Sequence, residues 1–440
     1  MTTSWRSMAL QICSIELWMS MLRRVRLYKQ TLAILLLTVL LLIAFYLSEE
    51  KNAFGSKYDG SEVRSVVKTK VVARYKQGQD QTSDHKKFKD YFPRNVRKFN
   101  RTNNKFQFLP DVIDDEETIL VRDKLIIMTY MRSGSTLTGD IIQQSQDVFY
   151  MYEPLWNIER VLTNKSGNGT LTFLNGTSLP FVYNAEFYMA RKIQILESVL
   201  NCSLMELDVG TLTQYHMFNS LSTRAFGLCA NHQKDMEILG RCVRVLQNDC
   251  RKSKVVVIKV IRSSMLEMYR LMTREPRLKV LHLLRDPRGT MKSQYLVGAF
   301  NWTHLPKTSL GHCQRVSRDL EMSQFVSEEF PGRIFILRYE DLVERPIRVT
   351  KQLYSFVNLT LTLEIQNYIW NITYGGNPDG CNICTVRENA TETAYSWRKK
   401  MSFASIWMIQ SQCWSVMNIL KYRTFDSNAE RMDGTLSAKY

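Results

Sequence analysis

The 440-residue sequence has no Gly-x-x-x-x-Gly-Lys-[Ser/Thr] loop, so it lacks the second glycine and the lysine with which P-loop ATPases and kinases wrap a triphosphate. Its one Cys-x-x-Cys, Cys381-Asn382-Ile383-Cys384, is joined by no second such pair and by no pair of histidines. That removes the usual ligand sets for a zinc ion, and no metal is expected. No internal repeat occurs, which excludes solenoids and propellers. Acidic residues are in deficit, 42 against 59 lysines and arginines, for a formal net charge of +17. Such an excess points to a polyanionic partner or substrate and leaves nucleic acid, acidic glycan and anionic nucleotide open. With 45% apolar and 23% charged residues, the composition is that of a globular chain able to bury a full core.

One long apolar run is present, at 31–47, and it carries no charge. It reaches the lower edge of what crosses a bilayer as a helix. Arg23, Arg24, Arg26 and Lys29 precede it and Glu49 and Glu50 follow, so the positive-inside rule predicts a cytosolic N-terminus and a lumenal body. Phe45, Tyr46 and Leu47 offer no small-residue cleavage site, which favours a retained signal anchor over a cleaved peptide. Met21 opens a more usual cytosolic tail than Met1 does. Asn-x-Ser/Thr acceptors at Asn100, Asn164, Asn168, Asn175, Asn201, Asn301, Asn358, Asn371 and Asn389 agree with a lumenal body. Of nine cysteines only Cys13 precedes the run, leaving Cys202, Cys229, Cys242, Cys250, Cys313, Cys381, Cys384 and Cys413, an even set that can pair completely. The expected organisation is a tail at 1–30, a span at 31–48, a polar basic stem at 49–117, a catalytic body at 118–425 and a C-terminal tail at 426–440.

From about Thr118 short apolar runs alternate with turn signals and helical patterns. Buried strands are predicted at 125–129, 148–152, 255–260, 280–284 and 334–337, and continuous apolar runs of this length suit a parallel sheet covered on both faces. The stretch from Asn157 to Cys250 is irregular and cysteine-bearing, and is expected to carry specificity.

The first strand runs into Tyr130-Met131-Arg132-Ser133-Gly134-Ser135-Thr136 and then into a helix. Gly134 lets backbone approach an anion closely, and the unpaired N–H groups at the helix start point at it. Ser135 and Thr136 add hydroxyls, and Arg132 adds a planar cation. A second strand ends in Arg285-Asp286-Pro287-Arg288-Gly289, with Ser293 less than two turns along the following helix. Asp286 suits a cap and Pro287 a first helical turn, so Arg285 and Ser293 are predicted to close on one small anion. Two cradles at two strand ends imply a nucleotide carrying phosphates at two positions.

Arg-Ser-Gly-Ser-Thr, the later Tyr-Glu-Pro-Leu-Trp, Arg-Asp-Pro-Arg-Gly and Arg338-Tyr339-Glu340-Asp341-Leu342 together resemble the Golgi carbohydrate sulfotransferases that act on the 6-hydroxyl of Gal, GalNAc or GlcNAc, the chondroitin and keratan sulfate enzymes among them. The resemblance runs from Thr118 to about Arg423. It implies a P-loop-like α/β sulfotransferase fold with a central parallel sheet flanked by helices, preceded here by one transmembrane helix. It also implies the donor PAPS (3'-phosphoadenosine 5'-phosphosulfate) and a glycan or glycosaminoglycan acceptor. By the same resemblance Arg132, Ser133, Gly134, Ser135 and Thr136 hold the 5'-phosphosulfate, Arg285 and Ser293 hold the 3'-phosphate, and Trp397 and Arg398 lie near the nucleotide. Gly289 and Met291 depart from the Ala and bulky aliphatic residue common in relatives, which puts helix packing in question.

Sulfonate transfer needs stabilisation of a departing phosphate and a base for the acceptor hydroxyl. Arg132 suits the first role. Glu153, at the end of the second strand and before Pro154, suits the second, since neighbouring parallel strand ends face one crevice. The alternative for Glu153 is a structural carboxylate. Glu340 and Asp341 are read as structural, His282 as a core residue, and Lys259 and Arg262 either as surface charges or as contacts to donor or acceptor anions. A tyrosylprotein sulfotransferase, a non-catalytic glycan-binding protein and a homodimeric assembly remain as alternatives or extensions; the anchor and glycosylation acceptors argue against a nucleic-acid partner.

Overall fold

The computed structural model describes residues 121–163, 169–180, 184–231, 233–376 and 385–440. The expected tail, span and stem, and Cys381, Cys384, Asn100, Asn164 and Asn168, lie outside them. No helix among the described residues is long and apolar enough to cross a membrane.

The chain alternates strands and helices: β1 (Asp123–Met128), α1 (Ser135–Ile142), β2 (Val148–Tyr152), α2 (Trp156–Leu162), a small hairpin of β3 (Thr170–Thr172) and β4 (Ser178–Pro180), α3 (Ala185–Leu200) and α4 (Met236–Lys252). There follow β5 (Val255–Val260), α5 (Met265–Arg274), β6 (Leu278–Leu284), α6 (Pro287–Leu296), α7 (Leu305–Glu329), β7 (Ile334–Arg338), α8 (Tyr339–Glu344), α9 (Ala390–Tyr395), α10 (Trp397–Lys400) and α11 (Phe403–Ile419). Five strands form one sheet in the order β2-β5-β1-β6-β7, and every pairing is parallel. The predicted strands all appear, with β1 and β6 each beginning two residues earlier than expected.

Strand periodicity of two explains the layers. In β1, Ile126 and Met128 enter one apolar core while Leu125 and Ile127 enter the other, and β5 divides Val256 and Ile258 from Val255 and Val257 in the same way. Both faces are therefore covered, as the unbroken apolar runs required. Because β1 is central and the chain crosses it between β5 and β6, the carboxyl ends of all five strands share one edge with a reversal of strand order, where open α/β sheets form their crevice.

The stretch between β2 and β5 is fastened by Cys202–Cys250 and Cys229–Cys242, and Cys313–Cys413 joins α7 to α11. The six described glycosylation acceptors, Asn175, Asn201, Asn301, Asn358, Asn371 and Asn389, are all exposed. The last residues fold back on the body: Tyr440 N–H donates to Lys421 O at 2.9 Å and Arg423 N–H to Ala438 O at 2.9 Å.

Candidate active site

Each strand of the sheet delivers a polar side chain to its carboxyl edge. After β1 the chain turns through Arg132, with φ of +67°, and Gly134, with φ of +88°, before α1 begins. Gly134 is obligatory here: a Cβ would stand 2.1 Å from the Tyr339 ring, which comes from the end of β7. No side chain caps α1, and its first N–H groups carry the positive end of the helix dipole.

After β6, Asp286 accepts from Arg288 N–H at 2.9 Å and pairs with the Arg288 guanidinium at 2.8 Å, so this acid caps α6 and neutralises a buried arginine. Arg285 is thereby left to face outward over Tyr339, its guanidinium carbon 4.8 Å from the ring centre. The two turns meet directly. Arg132 Nε donates to Ser293 Oγ at 2.9 Å, and Arg285 Nη1 donates to the Arg132 carbonyl at 2.9 Å. Burial and the nearby charges of Arg285 and Arg387 push the Arg132 guanidinium below its ordinary value, an energetic bias toward an added anion.

Glu153 ends β2 with φ of +51° and is 2% exposed. It leaves right-handed helical geometry before Pro154, as expected, but into the left-handed region. That conformation costs about 1–3 kcal/mol in a non-glycine residue and persists only where its surroundings over-determine it. Here Lys259 Nζ reaches Glu153 Oε1 at 2.5 Å and Arg262 Nη1 reaches Oε2 at 2.7 Å, both from the end of the neighbouring β5. Lys259 and Arg262 thus serve this carboxylate.

These groups line one cleft of about 570 Å³. Arg132, Gly134, Ser135, Thr136, Glu153, Arg285 and Ser293 all reach it. Among the described residues lining it are six cations and one carboxylate, Glu153. Ser133 is buried beside the cleft, and its Oγ, like Arg285 Nε, is buried without a hydrogen-bond partner. Such donors cost about 1–3 kcal/mol each unless a ligand satisfies them.

A family model described as the sulfotransferase family matches residues 124–362, more than half of the chain and nearly all of this sheet. The chain belongs to the sulfotransferase family. Carbohydrate sulfotransferase 3 of Homo sapiens is 24% identical over 341 residues, covering 69% of this chain and 67% of that protein. Carbohydrate sulfotransferase 1 of Danio rerio is 27% identical, covering 71% and 81%, and carbohydrate sulfotransferase 5 of Mus musculus is 26% identical, covering 72% and 84%.

Trp397 and Arg398, expected near the nucleotide of this sulfotransferase, are not among the residues lining the cleft. Trp397 is fully buried, its ring 4.0 Å from the Arg288 guanidinium, and Arg398 donates to the carbonyls of Arg431, Asp433 and Leu436. The pair pins the C-terminal residues to the body. The Gly289 departure has a packing reason: a Cβ there would stand 3.2 Å from both Arg285 Nε and Trp397 Cδ1. His282 is fully buried, bonded to Ser323 Oγ and Tyr130 Oη. Glu340 accepts from Asp286 N–H and Tyr422 Oη, and Asp341 pairs with Arg338.

Sequence reasoning missed four residues of the cleft: Lys292, Thr385, Arg387 and His216. Lys292 immediately precedes Ser293 on α6; burial, with Lys400 and Arg285 nearby, lowers its ammonium to about 8. Arg387 arrives from a segment tied back to α1 by Thr385 Oγ1, which donates to Asp140 Oδ2 at 2.7 Å.

Proposed function

We propose that this sulfotransferase transfers a sulfonate group from PAPS to the 6-hydroxyl of a Gal, GalNAc or GlcNAc residue of a glycan, in the Golgi lumen and on a type II anchor at 31–48. The observation that carries this is the joining of two anion-binding turns in a single cleft that also admits Glu153. The names of the curated relatives support a carbohydrate acceptor. Three disulfides and exposed glycosylation acceptors support an oxidising, lumenal compartment.

The residues present suit the donor. The N–H groups at the start of α1, with the Ser135 and Thr136 hydroxyls, would hold the 5'-phosphosulfate, and Ser133 Oγ gains a partner there. Arg285 Nε and Ser293 would hold the 3'-phosphate. PAPS, when bound, supplies a sulfonate on a phosphate leaving group. Arg132 keeps its positive charge at the junction of the two turns, where negative charge builds on the leaving oxygen, and it needs no reorganisation to do so. Glu153 accepts the proton of the acceptor hydroxyl as the oxygen–sulfur bond forms and the bond to the leaving phosphate breaks. Lys259 and Arg262 fix the orientation of its carboxylate.

Incubation of the purified full-length chain with sulfur-labelled PAPS and chondroitin, keratan and GlcNAc-terminated acceptors tests this, with linkage analysis of the product. Label at the 6-position of a hexosamine or galactose is expected. Transfer confined to tyrosine peptides, or to no acceptor, would overturn it.

A further inference from the structure

Beyond Glu153 the cleft changes character. The rings of Tyr152, Trp156 and His216 line it there, and Lys259, whose ammonium is 4.1 Å from the Tyr152 ring, and Arg262 are ion-paired with Glu153. His216 packs edge-on to Trp156 with centroids 5.5 Å apart and leans on Tyr152 at 5.2 Å. Asn219 Nδ2 lies 3.0 Å from His216 Nδ1. An amide nitrogen only donates, so the neutral ring keeps its proton on Nε2, the nitrogen left for the cleft. Burial lowers this imidazole to about 4, with Lys259 and Arg262 adding to the effect and Glu153 opposing it, so the ring is uncharged at cellular pH. An aromatic wall carrying a neutral imidazole N–H donor matches a partner that presents an apolar face edged by oxygens.

We infer that Trp156 and His216 form the acceptor subsite, taking an uncharged hexose or N-acetylhexosamine residue by its apolar face on the indole and by one ring oxygen on His216 Nε2. This rests on the sulfonate-transfer function proposed above. Both residues line the cleft together with Glu153, and the Trp156 backbone N–H donates to the Glu153 backbone carbonyl at 3.1 Å. A sugar seated on them is therefore held where its hydroxyl meets the base. Charged residues of a polymeric acceptor would lie outside this pair, toward the exposed Arg160, whose guanidinium is 5.6 Å from the Trp156 ring.

The test compares the full-length chain with Trp156→Ala, Trp156→Phe and His216→Ala. It measures KM for an uncharged GlcNAc-terminated oligosaccharide and, separately, the affinity for 3'-phosphoadenosine 5'-phosphate (PAP) by calorimetry. Loss of the indole is expected to raise acceptor KM about tenfold or more and loss of the imidazole about fivefold to tenfold, with Trp156→Phe intermediate. PAP affinity should stay within about twofold, which also reports that each variant is folded. If Trp156→Ala fails to bind PAP, Trp156→Phe and His216→Ala decide. Unchanged acceptor KM in the PAP-binding variants, or parallel losses for PAP and acceptor, overturns the inference. A wild-type chain that binds no PAP or transfers no sulfonate fails earlier and overturns the broader function instead.

Discussion

The two ends of the cleft use charge in opposite ways. At one end Arg132, Arg285, Arg387 and Lys292 line the cleft with the hydroxyls of Ser135, Thr136 and Ser293, and no carboxylate joins them among the described residues. At the other, Lys259 and Arg262 are matched to Glu153, and the remaining lining is aromatic and neutral. The first arrangement gathers cations and leaves Arg285 Nε buried without a hydrogen-bond partner, so it gains most from an added polyanion. The second places a carboxylate and holds it still, which suits a proton acceptor and an uncharged partner. On the proposed function, donor binding and the acceptor proton fall to different residues of one cleft, whose two turns meet at Arg132.

Substitutions at the meeting point should have the largest effect. Arg132→Ala is expected to lower single-turnover sulfonate transfer by about a thousandfold, the scale of losing a preorganised charge donor, while Arg132→Lys recovers only part. A similar rate for wild type and Arg132→Ala would erase the distinction between the two ends. Glu153→Gln should lower kcat by about a hundredfold or more while PAP affinity, read by calorimetry, changes little. A kcat close to that of the wild type would make Glu153 only a structural partner of buried Lys259 and half-buried Arg262.

Lys292 gives a smaller, pH-dependent signature. It is charged below about 8 and loses its proton above that, while a bound phosphate favours the charged form. PAP affinity should therefore be full below pH 8 and fall by up to about tenfold per pH unit above it. Lys292→Arg should remove that fall, and an unchanged pH profile in the variant would place Lys292 outside the anion site.

The sheet was legible because its strands are buried on both faces and so appear as unbroken apolar runs bounded by turns. Arg132, Glu153, Arg285 and Ser293 were legible for a related reason: each follows a strand end closely, and parallel strand ends share an edge. What Lys259 and Arg262 do was not, because it depends on β2 pairing with β5, and Glu153 and Lys259 are 106 residues apart. His216 sits on the short turn Tyr215–Asn219 within the irregular stretch, where no periodicity marks it. Arg387 reaches the cleft through the Asp140–Thr385 tie, for which no local pattern exists. Trp397 and Arg398 were placed near the nucleotide by resemblance alone; Trp397 packs on Arg288 behind Gly289, and Arg398 bonds to the C-terminal residues.

Calorimetric titration of Arg285→Ala with PAP and with adenosine 5'-phosphate, which lacks the 3'-phosphate, tests most directly whether one nucleotide spans both turns. The account predicts a loss of about tenfold or more for PAP, the scale of a charge-assisted hydrogen bond, and almost none for adenosine 5'-phosphate. Equal losses for the two nucleotides, or none for either, would contradict it.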